Sequence, residues 1–274
     1  MPISINTNVL SLVTQRNLTS SQDRLGTAMN RLSSGLRVNN SADDAAGMAI
    51  ASRMETQARG MAIAQRNAAD AISLTQTAEG AIGQVGNILQ RMRELAVQSS
   101  NATNSTSDRQ NLNAEFQQLA LEVTRTVANT QFNGIAILAT GAGASNYQVG
   151  PNSGDQVGVT TTNLFSATEI TAVTGGNVST AGSASTAMSN IDSALTLVNT
   201  ERAKMGAVQN RFSAMIDVLQ VNQQNTLAAQ GRIMDADFAQ ETANLSRAQI
   251  LQQAGAAMVA QANTLPQMAL QLLR

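Results

Sequence analysis

The chain has 274 residues, of which 43% are hydrophobic but only 2% are aromatic, and 17 basic against 18 acidic residues give a net charge of −1. It contains no Cys and no His, which excludes a disulfide framework and removes the commonest general base and metal ligand. No polybasic cluster is present, so we expect no nucleic-acid partner and no membrane partner. An enzyme with this composition would depend on carboxylates, hydroxyls and Lys204.

The first fifteen residues differ from a secretory signal peptide. In "MPISINTNVLSLVTQ", Asn and Thr interrupt the apolar positions, and the first basic residue is Arg16. We therefore expect a protein that either stays inside the cell or leaves by a route without a cleaved signal.

Residues 43–100 contain no Pro and are predicted to form one long helix. Small and apolar residues recur along it at spacings of three and four, which indicates a helix packed lengthwise against partners. At 1.5 Å per residue this helix would be roughly 80 Å long, so we expect an elongated molecule. The seam comprises Met61, Ala64, Ala68, Ala71, Thr75, Ala78, Ile82, Val85, Leu89, Met92 and Ala96.

Two short motifs mark predicted helix starts. In "SADD", Ser41 is expected to accept hydrogen bonds from the first helical amides and Asp44 to reach back, as in a capping box. In "SDRQ", Ser107 and Gln110 are expected to play the same two roles. Capping accounts for the acidic pair in "SADD" without any acid–base or metal chemistry.

A polar middle region separates two helical arms. The helices at 43–100 and 108–129 are predicted to form an antiparallel hairpin, and "QFNG" at 131–134 predicts a stop and a turn. From about 139 to 187, Gly, Ser, Thr and Asn dominate; "YQVGPNSGDQVGVTT" predicts a β-hairpin and the remainder a surface loop. Its Ser and Thr residues could carry glycans, although the sequence selects none of them. A helical pattern returns at about 186 and continues toward Ile233.

The segment after Arg247 has no charged residue before the terminal Arg274. Large apolar residues recur in it every seven positions, and a small residue precedes each by three, which is typical of a seam that admits a close helix. Three interpretations are open: a transmembrane span, disfavoured by six Gln residues and Pro266; a core helix of a monomer; and a coiled coil buried partly against other copies of the chain. The C-terminal stripe comprises Ala248, Leu251, Gly255, Met258, Ala262, Leu265, Ala269 and Leu272, and a matching N-terminal stripe comprises Leu18, Leu25, Met29, Leu32 and Leu36.

Energetics favours the third interpretation of these stripes. Burial of four large apolar side chains contributes roughly 6–12 kcal/mol before the costs of ordering and association are subtracted. A pair of helices at the chain ends has few other contacts to offset those costs. We therefore predict that the stripes are weakly ordered in a single copy and become ordered on polymerisation.

Several longer stretches of the sequence share one resemblance. "RLSSGLRVNNSADDAAGMAIASRM", "LQRMRELAVQSSN", "TQFNG", "GAVQNRF" and "LSRAQILQQAGAAMVAQAN" resemble bacterial flagellin, the subunit of the flagellar filament. The resemblance covers roughly residues 1–140 and 190–274, in order. It implies a mainly α fold, an elongated antiparallel helical bundle or coiled coil with a small β-hairpin region in the middle of the chain. The implied function is a structural subunit that polymerises for swimming motility, without enzyme activity, cofactor or metal.

The resemblance also implies a division into three parts. Residues 1–42 and 231–274 would form an inner terminal coiled coil. Residues 43–140 and 186–230 would form a long-helix bundle, and 141–185 a short region rich in Gly, Ser and Thr with a β-hairpin and loops.

The implied partners are other copies of the chain, a flagellar export chaperone, the filament cap protein and the hook–filament junction proteins. The implied location is the extracellular filament, reached through the flagellar type III apparatus without a cleaved signal peptide. Two alternatives share the terminal helices: a hook–filament junction protein, and a secreted enzyme on the same frame. The lack of His excludes a His-ligated zinc protease insert.

A charged motif, "QRMRELAVQ", offers a candidate binding patch. Arg91 and Glu94 lie at helix-face spacing, and Glu115 is expected alongside from the antiparallel helix. From the residues alone, a ladder of Arg and Glu on a subunit face accounts for this pattern. By resemblance, the patch matches the one bound by the animal innate receptor Toll-like receptor 5, although Leu119 stands where several receptor-activating relatives carry Arg. The residues carried over are Gln90, Arg91, Glu94, Leu95, Leu112 and Glu115.

Overall fold

The computed structural model describes the backbone of residues 7–272 and the side chains of residues 7–264. The predicted mainly α fold with a β-hairpin in the middle of the chain is confirmed. None of the helices in the described part of the chain is long and apolar enough to cross a membrane. The elements are α1 (Val9–Ser34), α2 (Ala45–Ser100), α3 (Thr106–Asn129), β1 (Gln131–Phe132), β2 (Ile135–Ala136), β3 (Ala144–Gln148), β4 (Gln156–Thr160), α4 (Thr168–Thr174), α5 (Ala181–Met234) and α6 (Phe238–Leu272).

The chain divides into two compact units. The terminal unit comprises Met1–Thr56 and Asn225–Arg274, and the central unit comprises Gln57–Gln224. Both boundaries fall inside helices, since α2 and α5 each contribute to both units. The three-part division expected from the resemblance stays a prediction, because it concerns the layers of an assembly rather than contacts within one chain.

The core of the central unit is built on the predicted seam of α2. Every seam position from Ala64 to Ala96 is buried, and only Met61, at the start of the seam, stays half-buried. The single polar member, Thr75, is fully buried, and its hydroxyl donates to the carbonyls of Ala71 and Ile72 at 3.1 and 2.8 Å. Because these bonds satisfy the hydroxyl within its own helix, the seam tolerates it. The partners across the seam include Phe116, Val123 and Val127 of α3 and Ile191, Val198, Met205 and Phe212 of α5.

Polar side-chain contacts show that α2 is antiparallel to α5. The Gln209 amide donates to Glu79 at 2.8 Å, and the Gln65 amide donates to Gln223 at 3.1 Å. Between these two contacts the residue number on α2 decreases by 14 while that on α5 increases by 14, which is the register of an antiparallel pair. This register brings the two long helices together along the whole central unit.

The polar middle region contains both predicted turns. β1 and β2 join through Asn133 and Gly134, whose φ angles of 50° and 79° fit the left-handed conformation that a two-residue hairpin turn requires. β3 pairs with β4 in antiparallel register, as "YQVGPNSGDQVGVTT" predicts.

The remainder of this region differs from the predicted surface loop. It contains α4, which buries Ile170 and Val173, and α5 begins at Ala181 rather than at about 186. The start of α5 is capped reciprocally, since the Thr180 hydroxyl accepts from the Ser183 amide and the Ser183 hydroxyl accepts from the Thr180 amide, both at 3.1 Å. Capping hydrogen bonds and the burial of apolar side chains therefore stabilise helices in a segment whose composition alone indicated a loop.

The start of α2 differs from the predicted capping box. The helix begins at Ala45, and the Asp44 carboxylate accepts a hydrogen bond from the Gly47 amide at 2.8 Å, so Asp44 is the cap. Ser41 lies in the preceding turn, which the Asp43 carboxylate closes by accepting two backbone amides. The prediction that Ser41 caps this helix is therefore wrong, because the turn places it four residues before the helix.

The start of α3 differs from the prediction as well, because this helix begins two residues earlier than predicted. Ser105 is the cap: its hydroxyl accepts from the Asp108 amide at 3.2 Å, and the Asp108 carboxylate accepts from the Ser105 amide at 3.0 Å. The prediction of Ser107 and Gln110 as the capping pair is wrong, because both lie inside the helix that Ser105 opens. Hydrogen bonds from the Ser105 hydroxyl and amide lower the pKa of Asp108.

Candidate assembly and receptor surfaces

In the terminal unit, α1 and α6 pair antiparallel. Near the start of α1, the Asn8 amide donates to the Ala262 carbonyl at 2.7 Å and the Ser11 hydroxyl donates to Asn263 at 2.8 Å. Near its end, Arg31 and Glu241 form an ion pair at 3.1 Å. The chain ends are therefore held side by side by polar contacts.

The end of α1 is joined to the end of α5 within the same unit. Gly35 takes φ 74° and terminates α1, as a left-handed cap does. The backbone amide of Arg37 donates to the Met234 carbonyl and its guanidinium to the Ile233 carbonyl, both at 2.6 Å. This junction places the end of α1 beside the start of α6.

The C-terminal stripe separates into an inner and an outer half. Ala248 and Ala262 are only 4% and 3% exposed, and a Cβ atom at Gly255 would lie 3.2 Å from Leu18 Cδ1. The small members of the stripe therefore face α1. The large members lie at the edge of this contact and stay partly open to solvent, since Leu251 and Met258 are 42% and 55% exposed. The side chains of Leu265, Ala269 and Leu272 lie outside the described residues.

The N-terminal stripe is divided less sharply. Leu18, Leu25, Leu32 and Leu36 are half-buried, whereas Met29 is 58% exposed. Leu18 lies against Gly255 of α6, and Leu36, just after the end of α1, pairs with Asp235, whereas the methionine stays open.

The start of α1 has its apolar face turned outward, which the sequence analysis missed. Val9, Leu10, Leu12 and Val13 are all exposed, although Ser11 between them is buried against α6. At 100° per residue the four apolar side chains share one face of the helix and Ser11 lies opposite them. The signal was present in "VLSLV", but amphipathic periodicity predicts the apolar face as the buried one.

Together these exposed side chains form a group that we call the terminal apolar set. Contiguous exposed apolar patches mark interaction sites, and the four apolar residues at the start of α1 share one helix face, so the set indicates an interaction surface. Its members are Val9, Leu10, Leu12, Val13, Met29, Phe238, Ile250, Leu251 and Met258.

On the central unit, Arg91 organises the predicted charged patch. Its guanidinium donates to Glu115 at 3.0 and 2.8 Å and to Glu94 at 2.9 Å. These bonds to Glu94 and Glu115 raise the pKa of the Arg91 guanidinium. All three side chains are about half exposed, so the contacts orient the group while contributing little to stability.

Two neighbours of this patch are placed differently. Gln90 is exposed and Leu112 is half-buried, so both border the patch. Leu95 is only 1% exposed and packs in the core. A direct receptor contact at Leu95 is therefore contradicted, because its position on α2 faces the core seam rather than the charged face.

A second charged contact was missed from the sequence. Arg93 donates to Asp192 of α5 at 2.6 Å and lowers the pKa of that carboxyl. No local pattern relates residues 99 positions apart, so only the fold shows this pair. Within residues 7–264, no group of three or more acidic side chains is arranged to hold a metal ion.

Comparison with known proteins identifies the family. The family model described as the bacterial flagellin N-terminal helical region matches residues 5–142, and the one described as the C-terminal helical region matches residues 188–273. The chain belongs to the bacterial flagellin family. A flagellin of Halalkalibacterium halodurans is 44% identical over 98% of this chain and 99% of its own length. A flagellin of Xenorhabdus nematophila is 40% identical over 98% and 99%.

Solved structures agree with this flagellin assignment. The crystal structure of Bacillus cereus flagellin is 33% identical and covers 56% of this chain and 88% of its own, with a TM-score of 0.50. A putative flagellar hook-associated protein from Vibrio parahaemolyticus has a TM-score of 0.59 and covers 70% of this chain and all of its own, but it is 15% identical and shares the fold alone.

This flagellin is a structural subunit that polymerises into the bacterial flagellar filament. The alternative of a hook–filament junction protein is not favoured, because the relatives that match the chain along nearly its whole length are flagellins.

Proposed function

We propose that this flagellin assembles through the terminal apolar set, which neighbouring copies cover in the filament. The observation that carries the proposal is the orientation of α1. Ser11 is buried against α6, whereas Val9, Leu10, Leu12 and Val13 point away from it. An isolated helix pair would gain stability from the opposite orientation, since apolar burial is the main favourable contribution to folding.

Other copies of the chain are the occupants that this surface fits. The family forms filaments of identical subunits, and a contact between different patches of identical subunits continues into an open helical polymer. The four apolar side chains at the start of α1 are already about half covered, so their full coverage contributes roughly 3–6 kcal/mol before association costs, and the other members of the set add to it. The small residues that face α1, Ala248 and Ala262, keep α6 close to α1 and leave the large residues for the neighbours.

A pair of charge substitutions on α6 tests this assembly surface. Leu251→Asp places a carboxylate in the terminal apolar set, and Gln253→Asp places one at an exposed polar position of the same helix. We expect Leu251→Asp to give a folded subunit that does not extend filament seeds, because a carboxylate covered by a neighbouring copy loses its hydration, and the nearby Arg247 only partly offsets that cost. Gln253→Asp should extend seeds as the unmodified chain does. Electron microscopy of seeded growth measures the difference between the two variants. Growth of filaments from Leu251→Asp at the subunit concentration that suffices for the unmodified chain would reject the proposal.

We further propose that Toll-like receptor 5 recognises the free subunit through Gln90, Arg91, Glu94 and Glu115, with Leu112 at the border. Support comes from the resemblance and from the geometry. Arg91 is held by two carboxylates in one exposed group, so little side-chain freedom is lost when a partner binds.

Arg91→Ala, compared with Arg125→Ala, tests the receptor proposal. Arg125 is an exposed arginine that pairs with Glu122 on α3, outside the patch. We expect Arg91→Ala to weaken binding of the monomer to the receptor ectodomain at least tenfold, within the range of an interface hot spot. Arg125→Ala should bind within twofold of the unmodified chain. Equal affinity of the Arg91→Ala and unmodified monomers would reject the assignment.

We also propose that the chain is exported through the flagellar type III apparatus without cleavage, and that its partners include an export chaperone, the filament cap protein and the hook–filament junction proteins. In the filament it would have a mechanical role and no enzyme activity. Family membership supports these proposals. The intact mass of subunits from purified filaments tests the absence of cleavage.

A further inference from the structure

The sulfur chemistry of this chain is confined to methionine. The sequence has twelve Met residues but no Cys, His or Trp, so thioethers are its most readily oxidised groups. Residues 7–264 contain ten of these methionines, and in that part of the chain only Met29 and Met258 have exposed side chains. The other eight are buried or half-buried, so access by a small oxidant favours these two.

Both exposed methionines belong to the terminal apolar set. Met29 lies on α1 near the Arg31–Glu241 ion pair, and Met258 lies on α6 three residues after Gly255, which contacts Leu18. In the antiparallel register of α1 and α6, the two sulfurs are roughly 20 Å apart along the helix pair. Oxidation at either one would therefore alter a different part of the assembly surface.

We propose that Met29 and Met258 are oxidation sites through which peroxide makes the free subunit unable to assemble, and that the filament protects them. The inference rests on the proposed assembly role of the terminal apolar set. A sulfur lone pair attacks one oxygen of hydrogen peroxide, the O–O bond breaks and an S–O bond forms. The thioether loses two electrons and becomes the sulfoxide, while the other peroxide oxygen leaves as water after taking up the hydroxyl proton.

The sulfoxide acts through its polarity. It converts a flexible apolar side chain into one with a strong hydrogen-bond acceptor. When neighbouring copies cover it without a donor, the cost corresponds to roughly a tenfold rise, or more, in the subunit concentration needed for assembly. The other members of the set are Val, Leu, Ile and Phe, which peroxide does not oxidise.

Oxidation of free subunits with dilute hydrogen peroxide, followed by peptide mass spectrometry and seeded growth, tests the inference. We expect Met29 and Met258 to gain oxygen before the other eight described methionines do. The concentration of treated subunit that is needed for seeded growth should be at least tenfold higher than that of the untreated subunit. The double variant Met29→Leu/Met258→Leu should grow equally well before and after treatment, because leucine has no sulfur that peroxide can oxidise. When intact filaments are treated in the same way, Met29 and Met258 of their subunits should stay unoxidised.

Two controls separate this inference from the assembly proposal. Methionine sulfoxide reductase should restore growth of the treated unmodified subunit, which keeps the test valid if the double variant folds poorly. Equal loss of growth in the treated double variant would overturn the inference, because oxidation elsewhere would then be responsible. Normal growth of the oxidised subunit, together with failed growth of Leu251→Asp, would also overturn it while leaving the assembly surface in place.

Discussion

At the scale of single residues, one capping side chain marks the start of α2 and another marks the start of α3. "SADD" and "SDRQ" both contain the residue types of a cap, yet the caps are Asp44 and Ser105. The reason is that a capping residue must have non-helical backbone angles while its oxygen reaches an amide two or three residues on. Several polar residues in each motif meet the chemical requirement, and the conformation of the preceding turn selects among them.

Substitution of the two nearby serines distinguishes the true cap from the predicted one. Ser105→Ala removes the acceptor of the Asp108 amide and should lower the free energy of unfolding by about 1 kcal/mol. Ser107→Ala should leave it unchanged or slightly raised, because Ser107 lies inside α3 and Ala is the better helix former. Urea denaturation of both variants measures the difference. An equal loss for the two serines would contradict the assignment of the cap.

The same capping box gives a pH dependence with a definite sign. The pKa of Asp108 in the folded chain is lowered by its hydrogen bonds to Ser105, relative to about 3.9 for an unfolded Asp. Its contribution is therefore present above pH ~4 and is lost as the pH falls through the folded-state pKa. The Ser105→Ala difference should accordingly be larger at pH 6 than at pH 2.5.

At the scale of elements, the long helices could be predicted because their signal is local and repeated. The seam of α2 recurs at threes and fours over more than thirty residues, and the structure buries all of it except Met61. The hairpin of β3 and β4 was equally accessible, since two β-prone runs flank a turn of Gly, Pro, Asn and Ser.

Other features could not be predicted because they depend on which face of a helix meets a partner. The resemblance placed Leu95 in the exposed receptor patch, but its side chain is buried in the core of the central unit. Periodicity also grouped Leu251 with Ala248 on one seam, although the small residue is buried against α1 and the large one lies at the edge of that contact, 42% exposed. Periodicity reports that a helix has an apolar side and does not say whether the same chain or another copy covers it.

At the scale of the whole molecule, the two units differ in how they are held together. The central unit has a core with large buried side chains, such as Phe116 and Phe212. The terminal unit is held by contacts of small residues, by half-buried leucines and by polar bonds such as those of Asn8 and Arg31, while the terminal apolar set is exposed. The two units should therefore respond differently when part of α6 is removed.

Deletion of residues 255–274 tests this difference. The deletion removes Gly255 and Ala262, the partners of Leu18 and Asn8, so we expect α1 to lose its contacts with α6 and the subunit to lose seeded growth. The central unit keeps every residue of its core and should retain its helices. Hydrogen exchange should stay slow in α3 and in residues 64–96 of α2, and electron microscopy with filament seeds should show no extension. Filaments of normal length from the truncated chain would show that the terminal surface is dispensable. Fast exchange throughout the central unit would show that its core is not stable without residues 255–274.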